Sequence, residues 1–213
     1  AYSESLRIAM DTILKQIDRF VRLGERNLKR TKDPEGTRRL KAQVASLRRL
    51  RSGPPQTAYD VMMFMWLVFF DGEYLDRISV RSFGQIDLLL TPYYEADVAA
   101  GRTTEAEFRE HFRHFLWQWG SIASYWNQPI GLGGTKADGT SEYNHVTKII
   151  LDVIDECYLP TPKFLVKVAP NTPDWAWDKL LDMAIRHRSL VFCGEEGMTR
   201  ILKAKGYSDE KCR

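Results

Sequence analysis

"KFLVKVAPNTPDWAWDKLLDMAIRHRSLVFCGEEGMTRILKAKG", residues 163–206, decides the fold class. "KFLVKV" (163–168) is a short run of apolar and β-branched residues bounded by turn formers, and it reads as a strand. "NTPDWAWDKLLDMAIRH" (171–187) has the helical period and is opened by Thr172 and Pro173. "SLVF" (189–192) is a second short strand, and "EEGMTRILKAKG" (195–206) is a helix ended by Gly206. Strand, helix, strand and helix within so short a span predict βαβ units of a parallel sheet. Two strands are too few for a stable sheet, so the pattern predicts further strands after Arg213. It also predicts that Phe164, Val166, Leu190 and Phe192 stay partly uncovered, apart from the helix carrying Trp175 and Trp177. The Phe164–Val168 edge would then invite self-association.

Outward from that stretch the chain is helical. "SEYNHVTKIILDVIDECY" (141–158) carries Val146, Ile149, Ile150, Val153 and Ile154 on one face. Before it lies the glycine-rich "NQPIGLGGTKADGTSEYN" (127–144). A phosphate-binding loop would need GxxxxGK[ST] between a strand and a helix, and "GLGGTK" has neither that spacing nor that setting. A turn between two helices and a close backbone approach both remain open for it. Thr104 and Glu107 form a capping box for a helix running to about Trp126. "LLLTPYYEADVAAG" (88–101) is a helix bent or interrupted at Pro92. "DGEYLDRISVRSFGQID" (71–87) reads as a loop with a short strand near Ile78–Val80.

Three helices lead in. Leu6, Met10, Ile13, Ile17 and Phe20 place an amphipathic helix over about 4–23, with Gly24 weakening its end. Asp33 and Pro34 start a second, striped by Leu40, Val44 and Leu47 and stopped by "SGPPQ" (52–56). "TAYD" (57–60) is a capping box with an acidic variant at its last position, ahead of "VMMFMWLVFF" (61–70), which reads as buried on all sides. That apolar run is too short to cross a bilayer, which needs about 18 residues or more. The opening residues show no signal-peptide core.

Composition sets the remaining bounds. The chain has 213 residues, 44% of them hydrophobic and 28% charged, which excludes disorder, and a net charge of +3, too small to argue for nucleic acid. Six Trp, nine Tyr and ten Phe predict a sizeable core or an incomplete interface. Cys157, Cys193 and Cys212 form neither a disulfide framework nor a metal set, which points to a reducing cytoplasm. Residues 22–51 hold eleven Lys and Arg against three acids, a local balance of +8. Without interleaved aromatics, a solvated helix face is preferred there over a nucleic-acid face. His111 and His114 stand three apart beside Glu107 and Glu110. A polar helix face explains them better than a metal site, for which a second acidic helix would be needed. No nucleophile–base pairing is visible.

The order of four motifs carries a resemblance. "SFGQIDLLLTPYYEADVAAGRTTEAEF", "GGTKADGTSEYNHVTKIILDVIDE", "LPTPKFLVKVAPNTP" and "SLVFCGEEGMTRILKAKGYSDEKCR" resemble, in sequence, segments of the glycyl radical enzymes, the pyruvate formate-lyase-like family. The resemblance covers about Pro54 to Arg213. It implies an α/β fold, predominantly helical here, forming the first half-barrel of a ten-stranded pair of half-barrels with flanking helices. Residues 1–53 would be a helical lead-in and 54–213 the start of the barrel, with the glycine loop packed tightly in its wall.

The same resemblance implies radical cleavage of a small organic substrate, of lyase, dehydratase, decarboxylase or acyltransferase type. No cofactor would be bound; a separate S-adenosylmethionine-dependent iron–sulfur activase would install a glycyl radical. The catalytic cysteine and radical glycine are expected outside this chain, and Cys212 precedes the cysteine's expected position. This chain alone would then be inactive. Ser82 and Gln85 lie on the loop where some relatives contact substrate. Gln85 stands where many members have Arg, and Lys167 where the strand motif usually has Arg, so no member's substrate is carried over. The partners expected are the substrate and the activase, with no metal, membrane or nucleic acid. Two other readings stay open: a helical interaction module or subunit completed by another chain, and a basic-face nucleic-acid binder.

Overall fold

The computed structural model describes residues 2–74, 82–121, 129–187, 189–208 and 212. The strand expected at Ile78–Val80 lies outside them, as do the expected end of the helix at Trp126 and part of the final "YSDEKCR". The chain divides into two compact units at 77/78.

The first unit holds α1 (Tyr2–Leu28), α2 (Pro34–Ser52) and α3 (Ala58–Tyr74). Asp33 caps α2, accepting from the amides of Glu35 and Gly36, with Pro34 in the first turn. Ile17, Leu47, Leu50 and Leu67 form the core, joined by Ile13, Leu14 and Phe20. Gly24 does not end α1. A Cβ there would meet Val44 Cγ2 at 2.5 Å, so the missing side chain lets α2 approach mid-helix. The TAYD box forms: the Asp60 amide donates to Thr57 Oγ1 at 3.1 Å and the Thr57 amide to Asp60 Oδ2 at 3.2 Å. Asp60 is fully buried and also takes a two-pronged bond from Arg49, at 2.7 and 2.9 Å. That pair ties α3 to α2 within the first unit. The run 61–70 is not buried on all sides, because Phe64 and Val68, one turn apart, are exposed.

The second unit contains α4 (Ile86–Ala99), α5 (Glu105–Ser121), β1 (Ile130–Gly133), α6 (His145–Cys157), β2 (Phe164–Val168), α7 (Asp174–Arg186), β3 (Leu190–Gly194) and α8 (Glu195–Ala204). The strands form one parallel sheet in the order β1-β2-β3, with Ile130 beside Phe164 and Phe164 beside Leu190. The βαβ reading of residues 163–206 therefore holds. The glycine stretch, read as a turn or a close approach, in fact contributes a third strand, and "IGLG" pairs along β2. That corrects the expected edge: β2 is central, and Phe164 and Val166 are buried. Among the described residues the uncovered side belongs to β3, where Val191 and Phe192 are exposed and Trp177 stacks over Phe192 at 6.5 Å.

Helix α4 is not interrupted at Pro92. The Thr104–Glu107 box opens α5, whose buried Phe108, Phe112, Phe115 and Trp119 pack with Phe83 and Tyr94. Helix α6 is buried at Val146, Ile149, Ile150, Leu151, Val153 and Ile154, in contact with α4 and α5. Fully buried burial of that kind, at about 1.5–3 kcal/mol per large side chain, is what holds the second unit together.

Candidate functional site

The glycine loop is held by a clamp on one residue. Gly133, at the end of β1, has φ +68°, and a Cβ there would lie 2.4 Å from the Tyr143 ring. Its amide donates to Asp87 Oδ2 at 2.9 Å, and its carbonyl accepts from Gln85 Nε2. Tyr143 is fixed in turn by donating its hydroxyl to the Lys167 carbonyl at 2.8 Å, and burial pushes that phenol up. The resemblance placed this loop tightly packed in a wall, and its geometry is of that kind.

Asp87 was not singled out from the sequence, and it is the centre of the clamp. It is fully buried at the start of α4. Besides the Gly133 amide it accepts from Thr147 Oγ1 at 2.9 Å and from the Leu88 amide at 3.0 Å. Burial outweighs these bonds and pushes its carboxyl up to about 6. Thr147 also closes the box that caps α6, where Asn144 accepts from the Thr147 amide. One carboxylate thus joins α4, β1 and α6. The available signal was the pairing of "SFGQID" with "GG…N-x-x-T", two motifs that only tertiary contact links.

Ser82 and Gln85 lie beside the outer edge of β1. The Phe83 amide donates to the Pro129 carbonyl at 3.0 Å and the Gly131 amide to the Gly84 carbonyl at 2.7 Å, so residues 83–85 run as a stub parallel to the strand. Gly131 is required there, since a Cβ would meet the Gly84 carbonyl oxygen at 2.9 Å. Ser82 Oγ accepts from the Gly84 amide at 3.1 Å and donates to the Pro129 carbonyl at 3.2 Å. The structure brings Ser82 and Gln85 to the same strand, with both side chains engaged by the glycine stretch.

The carboxyl ends of the three strands open into a cleft of about 670 Å³. Thr135 follows β1, Ala169 to Asn171 follow β2, and Glu195 follows β3. Glu195 is buried and accepts from the Thr135 amide at 3.2 Å and hydroxyl at 2.6 Å.

The other candidates fall elsewhere. His114 Nδ1 pairs with the Glu110 carbonyl at 2.8 Å, its ring edge-on to Trp117. Among the described residues no group of three or more His, Cys, Asp or Glu could hold a metal ion. Cys157 and Cys193 are half-buried, and Cys212 is buried. In the basic segment, Arg38 and Arg39 pair with Glu35, Arg48 with Glu25, Arg49 with Asp60 and Arg51 with Asp18. No helix among the described residues is long and apolar enough to cross a membrane.

The family model described as pyruvate formate lyase-like matches residues 2–213. The chain belongs to that family. It is 27% identical over 140 residues to trans-4-hydroxy-L-proline dehydratase of Clostridioides difficile, an alignment covering 56% of this chain and 17% of that protein. Solved structures share its fold. Hydroxyproline dehydratase from Clostridioides difficile superposes with a TM-score of 0.86 at 20% identity, over 96% of this chain and 28% of that one. The B12-independent glycerol dehydratase from Clostridium butyricum gives 0.84 at 18% identity, over 94% and 27%. A glycyl radical enzyme from Archaeoglobus fulgidus gives 0.82 at 20% identity, over 95% and 28%. The mostly helical chain with its small parallel sheet is thus a partial α/β half-barrel of the glycyl radical enzyme type. It spans only about a sixth of the curated relative and just over a quarter of those structures.

Proposed function

We propose that this chain is the barrel-wall part of a glycyl radical enzyme that removes water from a small hydroxylated substrate. Membership of the family along residues 2–213 carries the enzyme class, and the dehydratases among its relatives favour dehydration over the family's other cleavages. A glycyl radical and the cysteine it draws a hydrogen atom from, both placed outside these 213 residues, would supply the radical chemistry. A separate S-adenosylmethionine-dependent iron–sulfur activase would be the partner that installs the radical, in an anaerobic cytoplasm.

This chain's own residues do the holding. The Asp87–Gly133–Gln85 clamp fixes β1 against α4 and α6, and an enclosed wall keeps water and oxygen from a reactive intermediate. Ser82 and Gln85 are the proposed substrate-side residues, a reading supported by the hydrogen bonds that hold both beside β1 rather than on a free loop. To test the reading, the complete polypeptide carrying this sequence is activated anaerobically and supplied in turn with trans-4-hydroxy-L-proline, glycerol and 1,2-propanediol. Products lighter than a substrate by one water support it. Cleavage of a C–C bond, or products of acyl transfer, would overturn the dehydratase reading.

A further inference from the structure

The side of the sheet turned away from α7 carries a cation that the clamp does not use. Trp177 of α7 stacks over Phe192, so the row Leu132, Val166 and Phe192 is on the helix side. Side chains alternate along a strand, so Leu165 and Lys167 of β2 stand on the other side, with Val191 and Cys193 of β3 beside them. All four are at least partly open to solvent. Gln85 lies on that side too. A Cβ on Gly131, the neighbour of Leu165, would point there and meet Gln85 Cγ at 3.3 Å.

Three polar side chains from three segments converge just past the end of β1. A Cβ on Gly134 would lie 3.2 Å from Lys167 Cδ, 3.4 Å from Gln85 Nε2 and 3.4 Å from Glu195 Oε1, so the glycine keeps their meeting point open. Two of the three are engaged. Gln85 Nε2 donates to the Gly133 carbonyl, and the two Glu195 oxygens accept from the Thr135 amide and hydroxyl. Lys167 differs: its backbone carbonyl takes the Tyr143 hydroxyl, but among the described residues its ammonium makes no hydrogen bond or ion pair, with Glu195 or any other group. Gln85 Oε1 is likewise an acceptor without a donor among the described residues. A half-buried ammonium beside an open acceptor fits a ligand that brings an anion to the first and a hydroxyl to the second.

This inference rests on the reading of the chain as the wall of a dehydratase, which turns that side of the sheet to the substrate. We propose that Lys167 sets the substrate class: its ammonium takes the carboxylate of a small hydroxy acid, while Gln85 Oε1 accepts from the hydroxyl. A neutral polyol makes only the hydroxyl contact. A hydroxy acid adds a charge-assisted bond, which is worth about tenfold or more in affinity.

The test uses the complete polypeptide carrying this sequence, left unactivated so that binding is read without turnover. Saturation-transfer NMR titrations compare lactate with 1,2-propanediol and glycerate with glycerol, pairs that differ only in a carboxylate against a neutral alcohol. Each acid should bind at least about tenfold more tightly than its alcohol, and added salt should weaken the acids alone. Lys167→Gln should erase the preference by weakening the acids to the level of the alcohols, whose binding stays within about twofold of the wild type, and Lys167→Arg should keep it. The wild-type comparison decides by itself should Lys167→Gln fail to fold. Because no turnover is involved, C–C cleavage by the activated enzyme would overturn the dehydratase reading and leave the acid preference standing. Equal affinity for acid and alcohol in both pairs, no saturable binding of either acid below about 50 mM, a preference that survives Lys167→Gln, or an equal loss of acid and alcohol in that variant would each overturn the proposal.

Discussion

Replacing Gly133 by alanine tests the clamp at its tightest point. At φ +68° an L-residue carries about 1–3 kcal/mol of backbone strain. The new methyl would sit 2.4 Å from two ring carbons of Tyr143, far inside contact distance. The ring cannot retreat freely, because its hydroxyl is bonded to the Lys167 carbonyl at 2.8 Å. Losing that bond costs about 0.5–1.5 kcal/mol, and overpacking adds about 1–3 kcal/mol. The expected destabilisation is about 2.5–7.5 kcal/mol, a large part of the roughly 5–15 kcal/mol by which domains are stable. Urea denaturation of the wild type and the variant, followed by tryptophan fluorescence, measures it. Tyr143→Ala supplies the control. If the ring is the obstacle, Gly133→Ala should cost only its strain, about 1–3 kcal/mol, in that background. A Gly133→Ala midpoint within error of the wild type would refute the reasoning, and so would an equal cost with and without the Tyr143 ring.

Asp87 gives a pH signature. Its carboxyl is pushed up to about 6 in the fold, against about 3.9 unfolded, so the stability it contributes is full below pH 4 and lost as pH rises through 6. That loss is about 3 kcal/mol, and Asp87→Asn should remove this slope from the pH 4–7 stability profile; an identical slope in both proteins would count against it. Arg49→Ala leaves the buried Asp60 without its guanidinium and should cost about 3–5 kcal/mol, read as a shift of the denaturation midpoint, whereas a change below 1 kcal/mol would mean that water compensates the charge. Gly24→Ala should destabilise by about 1–3 kcal/mol through the Val44 contact, although alanine is the better helix former; a stabilised variant would show that α2 can move away.

The strands β2 and β3 were legible because "KFLVKV" and "SLVF" are apolar and β-branched runs between helical periods. β1 was not, since two of its four residues are glycines, which have low strand propensity. The signal it did carry was Ile130 and Leu132 alternating with those glycines, and both are fully buried. Caps were read correctly at Asp33, Thr57 and Thr104, where the partners lie within one turn. Gly24 was misread because its reason is a contact with Val44, which helix propensity cannot reveal. The clamp failed to show for the same cause: Asp87 and Thr147 are sixty residues apart and meet only in the folded chain. Ser82 and Gln85 were found through the family motif, but that motif gave no hint that both side chains serve the glycine stretch.

We propose that this chain is the wall around a radical site whose glycine and cysteine lie elsewhere in the polypeptide. The most direct measurement is the anaerobic electron paramagnetic resonance spectrum after incubation with a family activase and S-adenosylmethionine. The complete polypeptide should show a glycyl doublet, and the 213-residue chain alone should be silent. A doublet from the 213 residues alone, or silence from the complete polypeptide, would contradict it.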